Sequence, residues 1–268
     1  MGTVVSLAVP APHRASGPAG TTGDAGTGEL ETHDAGAWEL EAAVAAVEQV
    51  FLAHDRTFSL YRPGSEASAI ARGELALGHA SEDMRHTHAE ALRWRLDTEG
   101  AFTPERPDGV LDLSGIVKAQ AITEAGTVLL ALGLQDWCLN AGGDVLAHGS
   151  PQPGGSEPWR AGVVDPADRG ALITAFPLGP ATSRNALATS GTAERGGHIW
   201  VAGLMRTASS GFRQVSVAAE DIVTADVLAT AIMAGGRRTL DIATERWDVD
   251  VLAVTDDGGL LATPGFRA

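Results

Sequence analysis

Two oxygen-bearing side chains stand four residues apart in an otherwise apolar run: Asp226 and Thr230 in TADVLATAIMAGG, residues 224–236. At i and i+4 they share one face of a helix. A carboxylate and a hydroxyl offered together suit a hard cation such as Mg2+, which takes one or two carboxylates and leaves its other positions to water and phosphate. The same pair has a structural reading. An aspartate in a first turn complements the helix dipole, and a threonine can bond back to a carbonyl. A second cluster, LDLSGIVK at 111–118, places Asp112, Ser114, Gly115 and Lys118 just ahead of a helix start. Free N–H groups at such a terminus favour an anion, although Asp112 or Ser114 acting as a plain helix cap gives the same pattern. A third, NALATSGTAERGGHIW at 185–200, sets Thr189, Ser190, Arg195 and His198 amid strand-like sequence, where an exposed hairpin is the competing reading. His79, His86 and His88 alternate with charges; His86 and His88, two apart, do not share a helical face. The chain carries no Walker loop, nucleophile elbow or H-E-x-x-H motif.

The elements that must position these residues are legible from periodicity. Residues 2–9 alternate as a strand, and 10–34, rich in Pro, Gly and Thr, read as a flexible loop. Helical spacing runs from Ala35 to His54, over 81–97 and from Val117 to Leu132, where Gly133 stops it. DRTFSLYRPGSEASAIARG gives a short extended segment, a turn at Pro63-Gly64 and a brief helix. DWCLNAGGDVLAHG and WRAGVVDP read as strands, with Gly142-Gly143 as a bend or bulge. ALITAFPLG, NALATSG, HIWVAG and RQVSVAAE continue as short strands. Helices at 225–234 and 237–246 and strands at 249–255 and 259–262 complete the order. Neighbouring strands in the second half favour an α+β fold over a regular βαβ array, with mixed, mainly antiparallel sheets and packed helices. No repeat or linker divides the chain, so residues 1–268 are expected to form one domain.

Composition narrows the function classes. With 44% hydrophobic and 20% charged residues, the chain has enough apolar surface for a sizeable core. A net charge of −15 and the lack of any Lys/Arg run argue against nucleic acid as a partner. A single cysteine, Cys138 in an apolar segment, excludes an internal disulfide and reads as a packed thiol. No run of about 18 apolar residues is available to span a membrane, and no basic region precedes the first apolar run as in a signal peptide. A cytoplasmic location is expected for the chain as given, or an extracytoplasmic one if a leader has been removed.

Taken in order, these stretches resemble the ApbE family, the Mg2+-dependent FAD:protein FMN transferases. The resembling motifs are Met1-Gly2-Thr3, FSLYRPGSE, TEGAF at 98–102, DLSGIVKAQ, NAGGD, ATSG, His198-Ile199 and ADVLATA. The resemblance implies a single ApbE-like domain in which Asp226, Thr230 and the backbone carbonyl of Gly115 bind Mg2+. It places Tyr61 against the flavin, or in control of its entry. It puts Met1, Ala101, Phe102, Thr103, Asp112, Lys118 and Ile199 at positions that contact FAD. The implied reaction is attack by a threonine or serine hydroxyl of an acceptor protein, one carrying a flavinylation motif, on the FMN phosphorus of FAD, releasing AMP. His198 is the candidate base or proton relay. The chain departs from the family pattern at Ala71, Glu99, Thr103, Ala119 and 200–203. Two further readings use the same residues: an FAD pyrophosphatase in which water attacks, and a non-catalytic flavin-binding regulator.

Overall fold

The computed structural model describes residues 3–10, 35–191 and 211–267. A seven-stranded antiparallel sheet in the order β1-β2-β3-β6-β7-β8-β9 forms its centre. The strands are β1 Val5–Ala8, β2 Trp137–Ala141, β3 Asp144–His148, β6 Ala186–Gly191, β7 Phe212–Ala219, β8 Asp250–Thr255 and β9 Leu260–Ala262. A separate antiparallel pair, β4 Trp159–Val164 and β5 Leu172–Leu178, is inserted between β3 and β6. Among the described residues five α-helices join them: α1 Ala35–Phe58, α2 Glu66–Ala71, α3 Glu82–Asp97, α4 Ser114–Ala131 and α5 Ile222–Arg246. The fold is α+β, as the order of sequence patterns predicts.

Strand alternation decides what each sheet face meets. Val215, Val217 and Ala219 of β7, with Leu139 of β2 and Val251 of β8, pack under α1, α4 and α5. Ala218 and Leu252 point to the other face, where Ala161, Val163, Phe176 and Leu178 of the β4–β5 pair cover them. A third cluster joins α3 and the segment before α4 to α5 through Met84, Phe102, Ile116 and Val227. Helix α4 lies close on the sheet because Gly126 has no side chain: a Cβ there would come 2.8 Å from the ring of Trp137. Among the described residues no helix is long and apolar enough to cross a membrane.

Three local readings are refined. Gly142-Gly143 is neither bend nor bulge but a two-residue hairpin turn, since Ala141 pairs directly with Asp144 and both glycines have positive φ (62° and 94°). The two predicted helices at 225–234 and 237–246 are one element broken at Gly236 (φ 67°, ψ −151°). That element also starts earlier than the pattern suggested, at Ile222, where the Asp221 carboxylate accepts the Thr224 N–H at 2.8 Å. The strand expected at HIWVAG and the loop at 11–34 lie outside the described residues.

Candidate functional site

Because Asp221 caps α5, Asp226 is not needed at the helix terminus: it lies in the second turn, and the first turn holds no acidic residue. The dipole-partner reading of Asp226 is therefore replaced by an interior one. Asp226 is 1% exposed, and neither carboxylate oxygen has a hydrogen-bond partner. Thr230, one turn on, shares a hydrogen bond with Ser190 of β6 (Oγ1 to Oγ 3.1 Å). Asp226 and Thr230 thus stand together where α5 crosses the sheet, as their spacing predicts.

Helix α4 brings Lys118 to the same point. Its ammonium is buried, pairs with Asp144 and lies 3.5 Å from Asp226 Oδ1. Asp144 begins β3, straight after the glycine turn, and is fully buried; its Oδ1 accepts the backbone N–H of Thr189 at 3.1 Å. Thr189 in turn shares a hydrogen bond with Ser216 of β7 (2.8 Å) on the opposite face of the sheet. Burial first, and then repulsion from Asp226, push the Asp144 carboxyl up to about 6 against the opposing pull of Lys118. Two buried carboxylates face one buried ammonium, and a surplus negative charge in the interior needs a further cation or a proton.

The donor set fits a hard cation. The unpartnered oxygens of Asp226 and the hydroxyl of Thr230 are the few protein oxygens such an ion takes when phosphate and water complete its shell. Among the described residues no three His, Cys, Asp or Glu side chains gather into a closed metal cage. Gly115, the third predicted contributor, lies in the first turn of α4, one turn before Lys118. A Cβ on it would stand 3.0 Å from the ring of Phe102, so glycine allows the buried Phe102 to lie against the helix start.

The remaining predicted residues flank this centre. Asp112 serves the helix start, its Oδ1 accepting the Ser114 N–H at 3.0 Å. Thr103 Oγ1 accepts the Glu105 N–H at 3.3 Å, and Ala101 packs against α5, 3.0 Å from where a Cβ on Gly235 would sit. Tyr61 is 82% exposed, on a loop held by Ser59 and by Ser68 of α2: Ser68 Oγ donates to Ser59 O at 3.1 Å and Ser59 Oγ accepts the Tyr61 N–H at 3.3 Å. Met1, His198 and Ile199 lie outside the described residues. Asp144 is the residue that the sequence reading left out of the site, although NAGGD was noted. Its signal is an acid directly after a Gly-Gly turn, within a chain segment that is otherwise apolar. The start of the chain reaches the same turn, since Val4 O accepts the Gly142 N–H at 3.0 Å and Thr3 packs on Gly142.

Known proteins are similar to this chain in sequence and in fold. The family model described as the ApbE family matches residues 103–253, which include Asp112, Gly115, Lys118, Asp144, Asp226 and Thr230. A curated FAD:protein FMN transferase of Rhodobacter capsulatus is 37% identical over 166 residues, covering 59% of this chain; the match spans 30% of that protein's length. Among solved structures, the ApbE protein of Thermotoga maritima is similar with a TM-score of 0.68 and 23% identity over 85% of this chain and 90% of that one. The flavinyl transferase ApbE of Pseudomonas stutzeri is similar with a TM-score of 0.70 and 21% identity over 85% and 87%. The structural likeness extends the shared fold beyond the matched span, and that span covers more than half of the sequence and every acidic residue of the buried centre; the chain belongs to the ApbE family.

Proposed function

We propose that this chain transfers the FMN moiety of FAD to a threonine or serine hydroxyl of an acceptor protein, releasing AMP. The observation that carries the reading is the buried Asp226, both of its oxygens without a partner, one turn from Thr230. Asp226, Thr230 and the Gly115 carbonyl would hold Mg2+, which would supply positive charge to the FAD pyrophosphate. Lys118 keeps Asp144 and Asp226 apart in charge and sets the balance of the centre. The half-buried Ala101 and Thr103, beside the buried Phe102, and the exposed ring of Tyr61 would orient a flavin.

The acceptor oxygen forms a bond to the FMN phosphorus, the bond from that phosphorus to the bridging oxygen breaks, and AMP departs with that oxygen. The acceptor's hydroxyl proton must leave in the same event, and His198 is the candidate to take it. Such a transfer depends chiefly on positioning and electrostatics. A turnover assay with FAD, Mg2+ and a domain carrying a flavinylation motif tests this reading. AMP formed without matching free FMN, and lost in Asp226→Ala, supports transfer. AMP and FMN in equal amounts with the acceptor present would assign water as the attacking group. FAD binding without AMP would leave a non-catalytic flavin binder.

A further inference from the structure

Glu99, in the link between α3 and the 101–103 loop, has a φ of 55° and is the only non-glycine residue with positive φ among the described residues. Glycine adopts that conformation without steric cost. A larger residue persists in such backbone only where its surroundings hold it. Its side chain supplies the hold. Glu99 Oε2 accepts from Arg238 Nη2 at 2.7 Å, and Oε1 from Arg246 Nη2 at 2.6 Å. Arg246 also donates to the carbonyl of Asp97 at 2.9 Å.

Both arginines belong to α5 beyond its break at Gly236, whereas Asp226 and Thr230 lie before it. Ala101 meets α5 at the break itself, against Gly235. The segment 97–101 is therefore tied to α5 at the break and past it. Local bonds hold the loop's own shape: Gly100 N–H to Arg95 O at 2.7 Å and Phe102 N–H to Thr98 Oγ1 at 3.1 Å. The ion pairs add to that hold and also fix where the loop sits on α5.

We infer that Glu99 is a positioning residue. Its carboxylate clamps the 98–103 loop to α5 through Arg238 and Arg246 and so sets the distance between the flavin-facing loop and the Asp226–Thr230 pair. The consequence for flavin rests on the transferase reading; the clamp is a property of the ligand-free chain. One exposed ion pair is a weak tie, but two arginines on separate oxygens of one carboxylate also fix its orientation.

The test compares wild type with Glu99→Gln, Glu99→Gly and the double variant Arg238→Gln/Arg246→Gln. In ligand-free protein, amide exchange at Gly100 and Phe102 is expected to quicken about threefold to fivefold in all three variants, with β6 and β7 amides unchanged. Combining Glu99→Gln with the arginine changes should add nothing further. The KM for FAD should rise by a similar factor while kcat and Mg2+ affinity hold. Wild type should approach the variants near about 0.5 M salt, where exposed pairs are screened. Glu99→Gly separates side chain from backbone, because it relieves the positive φ and still lacks the clamp. Wild-type exchange and KM in Glu99→Gln would overturn the inference, as would Glu99→Gly matching wild type. If wild type binds no FAD, the transferase reading fails, and the exchange comparison alone decides the clamp.

Discussion

Replacing Asp226 by asparagine tests the charge account of the buried centre. In the wild-type chain two interior carboxylates face one ammonium, and both Asp226 oxygens lack a hydrogen-bond donor. Asparagine keeps the volume, removes the surplus charge and leaves Lys118 and Asp144 as a balanced pair. A buried charged group left unsatisfied costs at least about 1–3 kcal/mol. The metal-free variant is therefore expected to be the more stable protein by about that amount. For a chain of this size the corresponding rise in Tm is roughly 2–6 °C. Mg2+ should reverse the order. A ligand at a hundred times its Kd stabilises by about 2.7 kcal/mol, and only the wild type should gain it.

The same substitution has a pH signature. The Asp144 carboxyl is raised from 3.8 to about 6, by burial first and by Asp226 second, so the native chain keeps a proton there that the unfolded chain has already lost. Stability from this group is present below about pH 4 and is lost as pH rises through about 6. Removing Asp226 removes one of the two causes. The advantage of the metal-free variant should widen between about pH 4 and 6 and stay level above. Thermal melts in chelator and in Mg2+ across that range read both effects. A metal-free variant less stable than wild type, or an equal Mg2+ shift in both proteins, would refute the reasoning.

Other substitutions bear on the same architecture. Lys118→Met leaves Asp144 and Asp226 facing each other without their counter-charge and should cost about 3–5 kcal/mol, with part of the lost Tm regained in Mg2+. Gly236→Ala forces a side chain into backbone at φ 67°, ψ −151°, and should destabilise by about 1–3 kcal/mol in denaturant titration. Burial pushes the Cys138 thiol up to about 11, so thiolate is scarce at about pH 8; alkylation there should be slow in native protein and rapid once it unfolds.

Much of this was legible in the sequence because the signals were local. Alternation in RQVSVAAE gave β7, and the paired glycines at 235–236 gave the break in α5. The i, i+4 spacing of Asp226 and Thr230 put both on the helix face that meets Ser190. Lys118 was placed at an FAD-contacting position by the resemblance, and its protein partners were not foreseen. Its observed partners, Asp144 and Asp226, are distant in sequence, and nothing in periodicity pairs a helix lysine with a residue after a hairpin turn. Asp221 was passed over as the α5 cap because the polar DIVTAD stretch carries two aspartates, and only the observed bond to Thr224 shows which one serves the terminus. The Glu99 clamp was equally hidden. Sequence marked Glu99 only as a departure from the family pattern, and the fold supplied the two arginines that hold it.

The measurement that most directly tests the central claim is the intact mass of an acceptor domain after incubation with this protein, FAD and Mg2+. The account predicts a mass gain equal to one FMN phosphoester at a threonine or serine of the acceptor, absent with Asp226→Ala or with chelator. An acceptor of unchanged mass, in a reaction where wild-type protein binds FAD and Mg2+, would contradict it.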